Sequence, residues 1–116
     1  MYHHVGEDSE GLSLNVSVET FERQMEFLKI HHYRVMPLED LIGHIQSGKP
    51  APWNAVVIAF DDGNLDNFTK AFPILRKRNF PATIFMITRN VGKKGWLSAE
   101  DLGVWNPPVS GSAVIP

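Results

Sequence analysis

The sequence predicts an α/β fold with a parallel sheet, and three observations indicate it. Patterns typical of helices and of strands alternate from residue 17 onward. The apolar run 55–60 is continuous rather than alternating, as in a strand that helices cover on both faces. A second run of this kind follows at residues 81–87, after one helical segment. Strands and helices that alternate in this way form parallel sheets.

The first half of the chain contains two predicted helices with a short strand between them. Ser17 is a suitable N-cap, and helical spacing of apolar residues then runs to about His31. A strand is predicted at residues 33–36, which Pro37 ends. The second helix ends at Gly48, and its apolar positions are Leu38, Leu41, Ile42 and Ile45.

The second half repeats the alternation. A third helix is marked by Leu65, Phe68, Phe72 and Leu75. Pro73 either kinks this helix or starts its second half, and Asn79 suits a left-handed residue after it. Ser98 is the predicted N-cap of a fourth helix. Helical spacing disappears at Gly103, so we predict one domain at residues 1–102 and an irregular tail at residues 103–116.

Composition excludes several classes of protein. The chain has 116 residues with 11 Lys+Arg and 13 Asp+Glu, a net charge of −2, which gives no basic footprint for nucleic acid. The absence of cysteine excludes disulfides, thiolate zinc sites and a cysteine nucleophile. The longest apolar run falls far short of the ~18 residues of a membrane span, and the first residues lack the apolar region of a signal peptide. The compartment and the oligomeric state stay open.

The sharpest chemical feature is Phe60-Asp61-Asp62-Gly63 at the end of a predicted buried strand. Active sites of parallel α/β folds lie beyond the carboxyl ends of strands. Adjacent carboxylates there cannot both point the same way, so one can bind a cation while the other accepts a proton from water. The alternative is that Asp-Asp-Gly simply ends a strand with good turn chemistry. These residues alone leave both interpretations open.

The segments around this motif carry a resemblance to a known family. Tyr2-His3-His4-Val5, Val57-Ile58-Ala59-Phe60-Asp61-Asp62-Gly63, Ala71-Phe72-Pro73-Ile74-Leu75 and Phe80-Pro81-Ala82-Thr83-Ile84-Phe85 occur in this order. The chain thereby resembles the N-terminal part of the polysaccharide deacetylase family (carbohydrate esterase family four) over about residues 2–102. Ala59 departs from the family pattern, which usually has Thr at this position.

The resemblance implies part of a (β/α) barrel that binds a divalent metal, usually zinc. It implies hydrolytic removal of N-acetyl groups from N-acetylglucosamine-containing polysaccharide, with Asp61 as the general base and Asp62 as a metal ligand. Family members are often extracellular or located in the cell envelope. This polysaccharide is therefore the expected partner, with no nucleic acid and no membrane span.

The histidine pattern departs from the family. Members complete the metal site with His-x-x-x-His downstream of Asp-Asp-Gly, whereas none of the five histidines here is followed by another four residues later: His3, His4, His31, His32 and His44. A catalytic zinc site has three protein ligands. We therefore expect an incomplete metal site and a chain that holds only the first part of the domain, without appreciable deacetylase activity alone.

His3 is the one histidine that the resemblance places near the active-site face. A ligand role for His3 competes with the commoner case of a partly buried first-strand histidine that binds no metal. Lys93 and Lys94 are interpreted as solvated turn charges. Packing is the favoured role for Trp53 and Trp96, although tryptophans can also stack on sugars.

Two other functions remain as alternatives. A carbohydrate-binding remnant without catalysis would retain sugar affinity after chelation of metal and after Asp62→Ala. A magnesium-binding receiver domain of a signalling pathway would place its acidic pair after the first strand, whereas Asp61 and Asp62 lie halfway along this chain. The position of the acidic pair disfavours the receiver.

Overall fold

The computed structural model describes residues 1–6 and 14–105 and the backbone of residues 114–115. The helices are α1 (Val18–Ile30), α2 (Leu38–Ser47), α3 (Phe72–Lys77) and α4 (Ala99–Trp105). The strands are β1 (His4–Val5), β2 (Asn15–Val16), β3 (Arg34–Val35), β4 (Ala55–Val56), β5 (Ala59–Asp62), β6 (Thr83–Met86) and β7 (Val114–Ile115). A π-helical segment (Asn67–Ala71) leads into α3, and a short 3₁₀ turn (Thr88–Asn90) follows β6.

All strand pairs of the described residues are parallel. β1 pairs with β2, β3 with β4, and β5 with β6, which in turn pairs with β7. A parallel bridge from Tyr2 to Phe60 joins the chain just before β1 to β5. The predicted α/β class with parallel strands alternating with helices is confirmed. The described strands form separate short sheets and do not close into a barrel.

The prediction of one continuous buried strand at residues 55–60 is wrong. The segment splits into β4, which pairs with β3, and β5, which pairs with β6. Val57 and Ile58 belong to neither strand, and only Ile58 and Phe60 of the run are buried. The change of partner interrupts the ladder, because the chain must turn from one sheet to the next. An apolar run by itself does not encode that change.

Local signals set the helix ends as predicted. The Ser17 hydroxyl accepts a hydrogen bond from the Thr20 amide at 3.1 Å, and Gly48 ends α2 with φ 69°. Pro73 lies in the first turn of α3, where the lack of an amide proton costs nothing, and therefore starts the second half of this helical stretch. Asn79 follows α3 with φ 53°, the left-handed conformation expected there.

The fourth helix extends further than predicted. Ser98 and Asp101 exchange reciprocal backbone-to-side-chain hydrogen bonds at 2.8 and 3.2 Å, and α4 continues through Trp105. The expectation that residues 103–105 are irregular is therefore wrong. The buried Trp105 ring packs on Phe60 and Phe72 at centroid distances of 6.0 and 4.9 Å, so a single aromatic anchor holds the last turn. The domain boundary remains a prediction, and residues 106–113 lie outside the described part.

The core lies between the parallel strands and the helices. Its fully buried members include Val5, Phe21, Met25, Phe60, Leu75, Ile84 and Leu97. Trp53 is 92 % exposed, so the prediction that it packs is wrong. None of the helices in the described ranges has the length and apolar character needed to cross a membrane.

Candidate active site

The acidic pair lies at the carboxyl end of β5, where the backbone turns sharply. Asp62 has φ 76° and Gly63 has φ 79°, so two consecutive residues adopt the left-handed conformation. This conformation costs a non-glycine residue about 1–2 kcal/mol, and such strain is found preferentially at functional sites. A Cβ built on Gly63 would lie 3.0 Å from Met86 Cε, so β6 packs directly beneath the turn. Asp61 and Asp62 therefore lie on a conformationally constrained turn at the end of β5. We call these two residues the acidic corner.

His3 is brought to this corner by backbone pairing. The Tyr2 amide donates to the Ala59 carbonyl at 2.8 Å, and the Asp61 amide donates to the Tyr2 carbonyl at 2.8 Å. These bonds place His3 Nε2 3.5 Å from Asp61 Oδ2. Both side chains are about one quarter exposed, at 24 % and 27 %, so a bound substrate can reach them. An imidazole and a carboxylate at this distance can exchange protons through a shared ligand or water.

Two buried asparagines hold the backbone of His3. Asn67 Nδ2 donates to the His3 carbonyl at 2.9 Å, and Asn64 Nδ2 donates to the same oxygen at 3.2 Å. Asn67 is fully buried and Asn64 nearly so. The sequence alone does not predict this role, because an asparagine soon after Asp-Asp-Gly has the character of an ordinary turn residue. The two amides fix the position of the backbone that carries His3.

A second histidine–aspartate pair reinforces the same junction. His4 Nδ1 lies 2.8 Å from Asp66 Oδ2, and Asp66 Oδ1 accepts a hydrogen bond from Asn67 Nδ2 at 3.0 Å. His4 is thus bound to the segment that precedes the π-helical turn, and not to the acidic pair. Residues 2–4 are therefore held against β5 by backbone bonds and against the residues after β5 by side chains.

The other predicted candidates lie elsewhere. His31 Nδ1 lies 2.9 Å from the Phe27 carbonyl at the end of α1, His32 is exposed, and His44 lies in the last turn of α2. A groove of about 500 Å³ between α1 and residues 56–58 is lined by Tyr2 but not by His3 or the acidic pair. Burial raises the pKa of Tyr2, whose hydroxyl donates to Gln24 Oε1. Of the predicted site residues, the structure brings His3 to Asp61.

The described residues do not by themselves make a metal centre. No three His, Asp or Glu side chains of residues 1–6 and 14–105 come together in a way that could hold one ion. A catalytic zinc ion takes three protein ligands and keeps a fourth position open for water. The corner offers the carboxylate of Asp62 but not a full set of ligands.

Comparison with known proteins defines the class of this fold and site. The family model for polysaccharide deacetylase matches residues 48–106, which include the Asp61-Asp62-Gly63 turn and β6. The chain belongs to the polysaccharide deacetylase family.

Individual proteins show the same similarity. YxkH of Bacillus subtilis strain 168, named as a polysaccharide deacetylase, is 39 % identical over 103 residues, which are 88 % of this chain and 36 % of that protein. The poly-β-1,6-N-acetyl-D-glucosamine N-deacetylase of Staphylococcus epidermidis is 36 % identical over 78 residues, 67 % of this chain and 27 % of that enzyme. The solved structure of IcaB from Ammonifex degensii superposes with a TM-score of 0.87 at 26 % identity, over 97 % of this chain and 48 % of that one.

The matched lengths show what share of the relatives' chains this chain corresponds to. The chain spans about a third of the length of the curated relatives and about half of IcaB. The structural similarity confirms that the fold is part of a deacetylase-type (β/α) barrel. The described residues correspond to one part of that architecture.

Proposed function

We propose that this chain supplies the Asp61–Asp62 corner of an active site that hydrolyses N-acetyl groups on N-acetylglucosamine-containing polysaccharide. The observation that carries the proposal is the contact of His3 Nε2 with Asp61 Oδ2 at the carboxyl end of β5. Membership of the polysaccharide deacetylase family supports it, as does the name of the staphylococcal relative, which acts on poly-β-1,6-N-acetyl-D-glucosamine.

In the proposed reaction Asp61 is the general base. Its carboxylate accepts a proton from a water molecule as the water oxygen forms a bond to the acetamide carbonyl carbon. The carbon–nitrogen bond then breaks, acetate leaves, and the sugar nitrogen takes up a proton to become an amine. A nearby histidine is the usual proton donor in such a step. His3, next to Asp61, is the proposed donor, a role different from the ligand role considered from the sequence.

For Asp62 we propose the role of one ligand to a divalent metal ion, zinc by family resemblance. Its carboxylate lies at a strand end whose backbone is held in an unusual conformation. Zinc accepts carboxylate oxygen as a ligand, and when bound it would polarise the acetamide carbonyl. The remaining ligands are not supplied by the described residues.

A graft tests the proposal in a complete enzyme. Residues 1–105 of this chain would replace the structurally corresponding part of the Staphylococcus epidermidis enzyme, and acetate release from poly-β-1,6-N-acetyl-D-glucosamine would be measured. We expect the graft to release acetate and Asp61→Asn to lower the rate by ~10²-fold or more. Asp40→Asn, a control on the exposed face of α2, should leave the rate unchanged. Acetate release that survives Asp61→Asn at the full rate would show that Asp61 is not the base.

A further inference from the structure

The loop at residues 87–98, between β6 and α4, runs alongside the acidic corner. The Leu65 amide donates to the Gly95 carbonyl at 3.0 Å, and the Leu97 amide donates to the Gly63 carbonyl at 3.0 Å. An antiparallel bridge joins Asn64 to Trp96 between these two bonds. The 87–98 loop is therefore fixed to the residues that directly follow Asp62.

The loop is also held in one conformation by its own contacts. The Gly92 amide donates to the Leu97 carbonyl at 2.9 Å, and the Trp96 amide donates to the Lys93 carbonyl at 3.0 Å. Leu97 is fully buried and anchors the loop in the core. Gly92 and Gly95 have φ 81° and 85°, which close the turn that presents residues 93 and 94. The position of the loop beside the corner is thus built into the fold.

The charge of the loop has one sign. It carries Arg89, Lys93 and Lys94, all exposed, and residues 87–98 contain no carboxylate. In the described part of the chain, the five close ion pairs involve other residues and leave these three cations without an acidic partner within 4.0 Å. Trp96, between the lysines and Leu97, is only partly buried. Solvated turn charges explain the exposure of the lysines but not why they lie in a loop that is hydrogen-bonded to the residues after Asp62.

We propose that the 87–98 loop is a binding site for an acidic sugar residue, so that the glycan recognised next to Asp61 and Asp62 carries carboxylates. The inference rests on the proposed function and deepens it by naming the substrate class. Two aspartates at the corner repel an acidic polymer, and cations on the loop bonded beside that corner offset this repulsion. The partly exposed Trp96 ring gives the sugar an aromatic surface on which to stack.

The same charges act on the product. Hydrolysis converts a neutral acetamide into an amine that is protonated near neutral pH. The lysines of the loop then repel the new positive charge, while the neutral acetylated sugar experiences no such repulsion. The loop therefore favours an acidic, still acetylated glycan over a deacetylated one.

Binding to the full chain tests the proposal without requiring activity. Isothermal titration calorimetry at low ionic strength would compare a hyaluronan hexasaccharide, which alternates N-acetylglucosamine with a carboxylate sugar, with a neutral chitin hexasaccharide. We expect hyaluronan to bind ~10-fold more tightly or better, and Lys93→Ala/Lys94→Ala to remove this preference. The control Lys29→Ala/Lys49→Ala removes two exposed lysines elsewhere and should leave the preference intact.

The outcomes separate the inference from the function on which it rests. Equal affinity for the two saccharides, binding of neither, or no effect of the loop lysines overturns the loop site. Equally tight binding of an oligoglutamate with the same number of carboxylates also overturns it, because charge alone then explains the affinity. A hyaluronan preference that depends on Lys93 and Lys94 supports the loop site. If the graft then releases no acetate, the proposed catalysis fails while the binding site stands.

Discussion

His3 Nε2 lies 3.5 Å from Asp61 Oδ2, although the two residues are far apart in the sequence. The parallel bridge between Tyr2 and Phe60 creates this contact, since these two residues directly precede His3 and Asp61. The pair is the only contact of a histidine with the acidic corner among the described residues that lies within ion-pair distance. In the proposed reaction, this pair is where proton transfer takes place.

Replacement of His3 tests its proposed role as a proton donor. In the graft, His3→Gln should lower kcat by ~10²-fold or more, while KM changes little, because the imidazole acts on the leaving nitrogen rather than on binding. His44→Gln, on α2, is the matched control. Initial rates of acetate release measure both variants. A rise in KM with an unchanged kcat would show that His3 only binds substrate.

Asn67 should contribute more to the free energy of unfolding than Asn54, although each side-chain amide donates one hydrogen bond to the backbone carbonyl of a histidine. Asn67 Nδ2 donates to the His3 carbonyl at 2.9 Å in the core, whereas Asn54 Nδ2 donates to the His32 carbonyl at 2.8 Å near the surface. Asn67→Ala should cost about 1–3 kcal/mol, because it empties a buried position and leaves the partly buried His3 carbonyl with fewer donors. Asn54→Ala should cost about 1 kcal/mol or less. Urea unfolding of the full chain measures both, and equal losses would contradict the account.

Gly63 combines a left-handed backbone with a close neighbour, and the two effects can be separated. Gly48→Ala adds a methyl group to open space at φ 69°, so it measures the conformational cost alone, about 1–2 kcal/mol. Gly63→Ala adds the same group at φ 79° with Met86 Cε 3.0 Å away. We expect Gly63→Ala to be the more destabilising in thermal and urea unfolding. If the two variants lose the same free energy of unfolding, the Met86 side chain moves aside without cost and does not constrain the turn.

The buried phenol of Tyr2 makes the stability of the folded chain depend on pH in the alkaline range. Burial raises the pKa of its phenol, so the folded state holds this proton more tightly than the unfolded state does. The resulting stabilisation is fully present below the ordinary value of about 10 and is lost as the pH rises through the raised folded pKa. Tyr2→Phe should remove that alkaline loss, as seen in urea unfolding at several pH values. Tyr33→Phe, which changes the only other tyrosine, should retain it.

The parts of the fold that depend on neighbouring residues could be predicted from the sequence. The cap at Ser17, the glycine at position 48 and the proline at position 73 act within one helical turn, so α1, α2 and the start of α3 follow from local chemistry. The division of residues 55–60 between β4 and β5 could not be predicted, because it depends on which distant strand pairs with each half.

The site follows the same rule. Asp61 and Asp62 are predicted as site residues because they directly follow an apolar run. Only the family resemblance predicts that His3 lies near them. The roles of Asn64 and Asn67 depend on the carbonyl of His3, which lies near the N-terminus and far from them in the sequence. Trp105 escaped detection because one buried ring leaves no periodic pattern. Contacts between distant segments therefore account for what the sequence did not reveal.

The most direct test of the central claim compares the two aspartates in the grafted enzyme. Zinc content and acetate release would be measured for Asp61→Asn and Asp62→Asn on the same preparations. The account predicts that Asp61→Asn keeps its zinc but loses acetate release by ~10²-fold or more, whereas Asp62→Asn loses both. Full acetate release by either variant, or loss of zinc from Asp61→Asn alone, would contradict the assigned roles.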